Sequence, residues 1–372
     1  MDMVAGTFLD KTIDDIAKDV APRITVLGIG GGGCNIVSGI KDGVDGVRVL
    51  ALNSDAQHLS ITRADERMLL GFETTKGLGC GGSPDQGALA AEESASEIEG
   101  AIAGSDLIVL TTTLGGGTGT GAAPVVARIA KELGILTIGV VTIPLDVEGT
   151  RLRNAREGLK SLVDICDSVV VIDNNRLMKV AGSLPLKDAF GVANERLGSF
   201  IRNLSEALST PSLVNLDFAD VKAVMEDGCI CAVGFGEGSG DMKVEEAAER
   251  SLDSQLLDIG DVRKARGVLL HIEGGEDMTL EDVNRAGELI LKRSSPDAKV
   301  VWGARINPSL KDKIRATVVL AGVESPFLQN GEKKPKKQEK NRAQAKSSPK
   351  SSPKKKSKKT SKKRKKSSKR SA

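Results

Sequence analysis

Short apolar runs alternate with segments of helical periodicity through the first half of the chain. Consecutive apolar residues predict strands at residues 23–27, 47–52, 106–110, 137–143 and 168–172. Apolar positions three and four apart predict helices between them, most clearly over residues 87–102 and 122–133. Strands that are apolar on both faces and separated by helices are typical of a parallel sheet covered on both sides. We therefore predict an α/β fold that binds its ligand at the carboxyl ends of the strands.

The strongest helical pattern covers residues 186–208. Its apolar stripe passes through Phe190, Leu197 and Leu204, which predicts a central helix packed against the sheet. A second alternation follows, with strands at 229–235, 267–272, 299–302 and 316–322 and helices at 243–256 and 280–293. This order predicts a smaller α+β domain with a mixed sheet.

These patterns divide the chain into five parts. We predict an N-terminal arm (1–22), a first α/β domain (23–185), the central helix with an acidic loop (186–227), the α+β domain (228–323) and a Lys-rich tail (324–372). Apolar residues almost disappear from the tail, so it cannot bury enough surface to fold and is predicted to be disordered.

Charge is distributed unevenly between the tail and the rest of the chain. The 53 Lys/Arg and 50 Asp/Glu residues give a formal net charge of +3. Residues 331–372 hold 20 of the basic residues and two of the acidic ones, which leaves 33 basic and 48 acidic residues before them. The tail is either a solubilising extension or a nonspecific contact to nucleic acid, anionic membrane or an acidic partner. It lacks the aromatic residues that stack on bases.

Histidine catalysis and a structural metal are both disfavoured. His58 has no Cys or acid–base partner nearby in sequence, and His271 occupies an apolar strand, as a core residue would. Cys229 and Cys231 share one face of a strand with no histidine near them, so we expect no protein metal site. Neither a signal peptide nor an apolar run of about 18 residues is present, and a cytoplasmic location is expected.

The sequence Gly-Gly-Gly-Thr-Gly-Thr-Gly at residues 115–121 is the strongest candidate for a ligand-binding segment. It connects the strand at 106–110 to the helix at 122–133. Glycines at a helix N-terminus let backbone N–H groups point inward, and the helix dipole adds positive potential, which together suit a phosphate. A plain turn is the alternative, although a run of only Gly and Thr is hard to explain as a simple connection.

Two further glycine clusters also precede helices. Gly28, Gly30 and Gly33 have the spacing of a dinucleotide fingerprint, which is a weak signal alone. The other cluster covers residues 77–84. Three such loops at one edge of a parallel sheet could surround a single polyphosphate, whereas a Rossmann oxidoreductase needs only the first.

Asp217 and Asp220 lie three residues apart after the central helix. This spacing places two carboxylates on one face of a helical turn, where they could act together. By spacing alone, an N-cap with a solvated neighbour is the better interpretation.

Together these segments resemble the FtsZ family, the tubulin-like GTPases of prokaryotic cell division. The matching segments are residues 30–35, 53–57, 77–84, 115–121 and Asn-Leu-Asp-Phe-Ala-Asp-Val at 215–221. The resemblance runs over residues 23–323 and suggests an archaeal member. It implies a GTPase that binds GTP or GDP with Mg²⁺ and polymerises head to tail with itself. It also implies a place in the midcell division ring.

The resemblance further implies individual ligand contacts. Glu148 would meet the ribose, Phe190 would lie against guanine, and Asn194 would hydrogen-bond the edge of the base. The full implied set for GTP is Gly30, Gly31, Gly32, Gly33, Cys34, Asn35, Gly81, Gly82, Gly115, Gly116, Gly117, Thr118, Gly119, Glu148, Arg151, Asn174, Phe190 and Asn194.

Catalysis by two subunits is the family's implied mechanism, and it reverses the capping interpretation. Asn215, Asp217 and Asp220 would polarise the attacking water on a neighbour's nucleotide. Helix length agrees, because residues 194–208 span about 22 Å and would separate these acids from the phosphates of their own chain. A head-to-tail contact that does not close by rotation generates a filament. With no Walker lysine present, backbone N–H groups, Mg²⁺ and Arg151 would meet the phosphate charge.

The chain departs from the family pattern at two places. After Glu148 it is one residue shorter, so Arg153 is the alternative to Arg151 as the nucleotide contact. The tail lacks the family's short acidic–apolar C-terminal peptide, which leaves the division-site membrane anchors unidentified. The basic tail is then expected to tether the protein to membrane or nucleic acid in another way.

Two other functions stay open on the sequence alone. One is a scaffold filament in which nucleotide is only structural, and GTP turnover that rises steeply with protein concentration would exclude it. The other is an NAD(P)-dependent oxidoreductase, which guanine-nucleotide binding without nicotinamide binding would exclude.

Truncation after Val323 should leave nucleotide binding and GTP turnover largely intact, because no nucleotide motif lies beyond that residue. Co-sedimentation of the full-length and truncated proteins with DNA and with anionic vesicles measures the role of the tail. Any binding should depend on the tail and weaken steeply with salt. A full-length protein that binds neither polyanion at low salt would reduce the tail to a spacer.

Overall fold

A mixed sheet of ten strands runs through the computed structural model. The structure describes residues 22–41, 46–176, 182–209, 214, 216–226, 229–253 and 262–329. Residues 1–21 of the expected arm, the tail beyond 329 and Asn215 lie outside the described residues, and so does the side chain of Phe190. The described residues belong to one compact unit.

The strands follow the predicted alternation but are mostly longer. They are β1 (Ile24–Ile29), β2 (Val47–Asn53), β3 (Glu66–Leu69), β4 (Leu107–Thr113), β5 (Leu136–Ile143), β6 (Ser168–Asp173), β7 (Cys229–Ser239), β8 (Gly267–Gly274), β9 (Lys299–Ile306) and β10 (Lys313–Ala321). Their order in the sheet is β3-β2-β1-β4-β5-β6-β7-β10-β8-β9. All pairs from β3 to β7 are parallel. Strand β10 is antiparallel to both neighbours, and β9 is parallel to β8. This confirms the predicted parallel sheet followed by a mixed one.

Helices cover both faces of the sheet. They are α1 (Gly30–Ile40), α2 (Ala56–Ile61), α3 (Phe72–Thr75), α4 (Pro84–Glu93), α5 (Ala95–Ile102), α6 (Thr118–Glu132), α7 (Gly149–Ile165), α8 (Leu186–Ser209), α9 (Phe218–Met225), α10 (Lys243–Leu252), α11 (Leu280–Leu291) and α12 (Pro326–Gln329). One apolar core includes side chains of α4, α5, α6, α7, α10 and α11. The other includes side chains of α1, α2, α8 and α9. No described helix combines the length and apolar character that a membrane span requires.

Consecutive strand residues serve opposite cores, which explains why the strands appear as unbroken apolar runs. Val26 and Leu27 of β1 are both fully buried, the first in the core of α1 and α8 and the second in the core of α6. The stripe of α8, including Leu197 and Leu204, packs into the same core as Val26, as its helical spacing predicts. The described part of this stripe, from Leu197 to Ala207, therefore packs into the core shared with β1 and α1.

The helix predicted at residues 87–102 is two helices that meet at Ser94. The Ser94 side chain is buried, and its Oγ accepts a hydrogen bond from the Gly71 backbone N–H at 3.0 Å. Apolar spacing continues across the junction, so the sequence did not show the break. Strand β3 and helices α2, α3, α7, α9 and α12 were also not predicted, and α12 lies within residues 324–372, which were predicted to be disordered.

His271 is a core residue, as expected. It is 3% exposed on β8, facing the core of the central helix. Burial lowers the pKa of His271 to about 4, and Arg305 adds to this effect. The side chain is therefore neutral at pH 7, which fits a packing role.

Strand β9 forms one edge of the sheet and carries the chain's single tryptophan. Trp302 is 40% exposed there, and the chain has no tyrosine. Trp302 lines an apolar groove between β9 and α11, together with Leu280 and Leu291 of α11.

Alternate glycines extend β7 beyond the predicted end at residue 235. A Cβ on Gly234, Gly236 or Gly238 would lie 1.7 to 2.0 Å from a backbone carbonyl oxygen of Ser251, Ala247 or Lys243. The three glycines let α10 lie directly on the strand, which no side chain would permit. The predicted strand ended at residue 235, before Gly236 and Gly238, and glycine is rare in strand interiors.

Replacing Gly236 with Ala should lower the free energy of unfolding by about 1–3 kcal/mol, since helix α10 must move away from β7. The matched control is Gly287→Ala on α11, where an added Cβ meets nothing within 4 Å. That substitution should be neutral or stabilising by up to about 1 kcal/mol. Urea unfolding of both variants measures the difference, and equal effects would contradict the packing account.

Candidate nucleotide-binding site

A cavity of about 340 Å³ opens where β1, β4 and β5 end. It is lined by Ile29, Gly30, Gly31, Gly32, Thr113, Leu114, Gly116, Gly117, Thr118, Gly119, Pro144, Glu148, Arg151 and Asn174. Most of these residues come from the set that the resemblance implied. Parallel strands bring the loops together, because each strand delivers its following loop to the same edge of the sheet.

The first glycine loop begins α1 directly at the end of β1. Gly30 has a φ of +70°, which favours glycine, and a Cβ there would lie 2.7 Å from the Gly119 backbone nitrogen. A Cβ on Gly32 would lie 2.1 Å from Thr113 Oγ1. The two glycine loops therefore pack backbone to backbone at Gly30 and Gly119, with no room for a side chain between them.

The second loop is held by its own threonines. Gly115 has a φ of +99°, and its N–H donates to Thr120 Oγ1 at 2.8 Å. Thr118 Oγ1 lies 2.7 Å from Ser54 Oγ, which joins this loop to the end of β2. Of these residues, Thr118 lines the cavity, whereas Gly115 and Thr120 shape the loop behind it.

Both helices that point at the cavity have positive N-termini without a competing carboxylate. Helix α1 begins at Gly30 and α6 at Thr118, and neither has an acidic residue in its first turn. The first N–H groups of a helix lack partners within the helix, and the dipole makes that end attractive to anions. The cavity is therefore suited to phosphate oxygens.

Glu148 and Arg151 both line the cavity and form an ion pair. Arg151 Nη1 is 2.7 Å from Glu148 Oε2, and Glu148 Oε1 accepts the Leu145 backbone N–H at 2.9 Å. Arg153 does not line the cavity. The geometry thus favours Arg151 over Arg153 as the nucleotide contact.

The third loop supports the cavity without lining it. A Cβ on Gly117 would lie 2.8 Å from Cys80 Cβ and 2.9 Å from the Ser83 backbone nitrogen. Gly81 and Gly82 both have positive φ, and the Gly82 carbonyl accepts from Asn154 Nδ2 at 3.3 Å. Neither glycine is part of the described cavity wall.

The remaining implied contacts differ in where the structure places them. The Cys34 side chain is fully buried, and burial raises the pKa of its thiol to about 11, so it faces the core rather than the cavity. Gly33 and Asn35 lie beyond the lining, on α1. Asn174, which is 7% exposed, lines the cavity at the end of β6. Asn194 lies on α8 outside the cavity wall.

Asp217 and Asp220 are not brought to this cavity. Asp217 occupies the N-cap position of α9 but makes no side-chain capping hydrogen bond, and Asp220 follows in the first turn. Both residues are exposed. Within the described part of the chain, no hydrogen bond or ion pair to either carboxylate is present. Asp217 therefore occupies the N-cap position without capping the helix through its side chain, and both carboxylates are available to contact another molecule.

Thr113, Leu114, Pro144 and Ile29 were missed by the sequence analysis. The available signal was the series Thr111–Thr113 at the end of an otherwise aliphatic strand. Thr111 Oγ1 donates to the Leu27 carbonyl at 3.1 Å and Thr112 Oγ1 to the Ile29 carbonyl at 3.0 Å. These hydroxyls tie β4 to β1 just below the phosphate loops.

Comparisons with known proteins identify the family of the chain. The model of the Tubulin/FtsZ family GTPase domain matches residues 23–182, and that of the FtsZ family C-terminal domain matches residues 229–324. Cell division protein FtsZ 1 of Archaeoglobus fulgidus is 46% identical over 320 residues, covering 86% of this chain and 87% of the relative. Cell division protein FtsZ 2 of Methanocaldococcus jannaschii is 43% identical over 320 residues, covering 85% and 84%.

A solved structure described as an empty FtsZ dimer of M. jannaschii superposes with a TM-score of 0.78 at 43% identity. The superposition covers 83% of this chain and 90% of the M. jannaschii chain. Both family models and these relatives span nearly all of the described residues. The chain therefore belongs to the FtsZ family of tubulin-like cell-division GTPases.

Proposed function

We propose that the cavity binds the phosphates of GTP and that hydrolysis requires acids from a second copy of the chain. The observation that carries this proposal is a separation within one molecule. The implied phosphate residues line one cavity, while Asp217 and Asp220 lie outside it, exposed and without a described partner. A site split in this way is completed when the acid-bearing surface of one subunit meets the nucleotide of the next.

In this proposal the phosphates lie between the N-termini of α1 and α6. Backbone N–H groups of the two glycine loops and the Thr118 hydroxyl donate to the phosphate oxygens, and Arg151 adds a positive charge. Glu148 accepts from the ribose. The guanine lies toward α8, against Phe190 and within reach of Asn194.

Mg²⁺ fits this site if the nucleotide supplies most of its ligands. The described residues contain no cluster of three His, Cys, Asp or Glu that could hold a metal alone. Mg²⁺ is commonly bound by substrate phosphates and waters with few protein ligands, and it would neutralise phosphate charge there.

Hydrolysis is then assigned to the acidic segment. Asp217 and Asp220, with Asn215, polarise and orient a water molecule that attacks the terminal phosphate of the GTP on the neighbouring subunit. An aspartate accepts the water's proton, and GDP leaves as the bond to the terminal phosphate breaks. Because the same contact repeats head to tail, assembly produces a filament and couples turnover to polymerisation. The dimer described for the M. jannaschii relative supports self-association.

The cellular setting follows from the family. The curated relatives are named cell division proteins, which supports a location at the division site. We assign the five predicted parts of the chain to the same scheme, with the first domain binding nucleotide and the basic tail contacting membrane or nucleic acid. The division-site anchor is a separate protein of unidentified type.

Guanine should be preferred over adenine by at least about tenfold, because Asn194 offers both an acceptor and a donor to the guanine edge. A mismatched base leaves a polar group unpaired, at about 1–3 kcal/mol. Competition of ATP and GTP for labelled GDP measures this ratio. Asn194→Ala should lower the affinity for GTP and reduce the ratio of GTP affinity to ATP affinity. Equal affinities of the unmodified protein for the two nucleotides would refute the role of Asn194.

Asp220→Ala should bind GTP and assemble, yet release phosphate about 100-fold more slowly, because a positioned acid–base group typically contributes at least this factor. Glu226→Ala, an exposed acid at the other end of α9, is the matched control and should retain turnover. Phosphate release and sedimentation with GTP measure both variants.

Mixing two inactive variants tests the two-subunit site. Gly116→Leu places a side chain in the cavity wall, and a Cβ at Gly116 meets nothing within 4 Å, so the variant should fold but exclude nucleotide. Its acids remain intact, while Asp220→Ala still holds GTP. Phosphate release from the mixture should exceed the sum of the two alone. Co-sedimentation of both variants without this gain would show that the acids do not act across the interface.

A further inference from the structure

His58 lies beside the phosphate cavity and is not among the residues assigned to it. It is partly exposed on α2. A Cβ built on Gly31, which lines the cavity, would be 4.0 Å from His58 Cε1. Both ring nitrogens have a side-chain partner, one from the end of β2 and one from α1. The imidazole therefore connects two segments that meet at the nucleotide.

The backbone that carries His58 is fixed. Asp55 caps α2, with its Oδ1 accepting the His58 backbone N–H at 3.0 Å. Asp55 also forms a β-bridge with Leu78 of the third glycine loop. At the other end of the helix, Thr62 Oγ1 donates to the His58 carbonyl at 2.9 Å. The His58 backbone is thus held by hydrogen bonds from both ends of the helix.

The hydrogen bonds determine which ring nitrogen carries the proton. Asn53 is 2% exposed, and its Oδ1 accepts the Asp55 backbone N–H at 3.3 Å. The other end of this amide, Nδ2, is therefore the donor to His58 Nδ1, also at 3.3 Å. Since Nδ1 accepts, the proton is on Nε2, which donates to Asn35 Oδ1 at 3.2 Å.

The hydrogen bond from His58 Nε2 determines which atoms of the Asn35 amide are available to a ligand. Its Oδ1 is occupied by the imidazole, so Nδ2 keeps both hydrogens, and no described residue accepts either of them. An unrestrained amide could rotate and present its oxygen, which repels an anion. Asn35 follows the glycines of the first loop by two residues on α1; it is exposed and lies outside the described cavity wall.

We propose that His58 is a positioning residue of this GTPase. It transmits the fixed orientation of the buried Asn53 amide to Asn35, so that Asn35 Nδ2 donates to the phosphates of the bound nucleotide. The proposal rests on the assignment of the cavity to the phosphates of GTP. His58 itself need not touch the nucleotide.

A double-mutant cycle on the full chain tests the proposal. The variants are His58→Ala, Asn35→Ala and the pair together. His58→Gln is the conservative variant, since its amide can accept from Asn53 and donate to Asn35. Ser60→Ala, an exposed neighbour on α2, is the matched control. The measurements are dissociation constants for GDP and GTPγS with nucleotide-stripped protein, and thermal unfolding to check that each variant is folded.

The expected result is a roughly fivefold weaker affinity in His58→Ala, the size of one ordinary hydrogen bond. His58→Gln should restore most of the affinity, and Ser60→Ala should leave it unchanged. In the Asn35→Ala background, removal of His58 should have no further effect, because its target is already gone.

Three results would overturn the inference. One is unchanged affinity in His58→Ala while Asn35→Ala binds weakly, and another is an undiminished effect of His58→Ala when Asn35 is absent. The third is unchanged affinity in Asn35→Ala, which would also remove Asn35 from the binding set. By contrast, failure of the unmodified protein to bind guanine nucleotide would refute the proposed function itself.

Discussion

The structure depends on the close contact between two glycine loops at the end of a parallel sheet. A Cβ on Gly30 would lie within 2.7 Å of the Gly119 backbone nitrogen, so the N-termini of α1 and α6 approach each other without side chains between them. Their unpaired N–H groups and positive dipole ends therefore face one shared cavity. Such an arrangement is stabilised by an anion, and the sheet and its helices supply the rigid support that holds it in place.

This constraint also explains why the catalytic acids are expected elsewhere. A carboxylate in the first turn of α1 or α6 would occupy or repel the charge that the cavity attracts, and neither helix has one. Asp217 and Asp220 instead lie after the long helix α8, on an exposed surface. In the proposed function, this separation of the phosphate site from the acids would let a single chain hold its nucleotide until a second subunit completes the site.

The sequence allowed the sheet and the phosphate loops to be predicted because both are local patterns. A strand buried on two faces is a continuous apolar run, and a phosphate loop is a glycine cluster before a helix. Features that depend on contacts between distant segments were missed. The predicted strand ended before Gly236 and Gly238 of β7, on which α10 lies. The break between α4 and α5 occurs at Ser94, whose side chain accepts a hydrogen bond from Gly71, 23 residues away in sequence. The sequence showed no Cys or acid–base partner near His58, and it could not show that Asn35 contacts the imidazole from α1.

Trp302 makes one edge of the sheet optically distinct from the rest of the molecule. With a single tryptophan and no tyrosine, ultraviolet emission from this chain originates almost entirely at β9. The indole is partly open to solvent, so its emission wavelength responds to whatever covers or uncovers that edge. The cavity has no aromatic residue in its described wall, so it contributes no fluorescence of its own. A change in tryptophan emission on adding nucleotide would therefore report a change in the surroundings of β9, at the edge of the sheet away from the cavity, without any attached label.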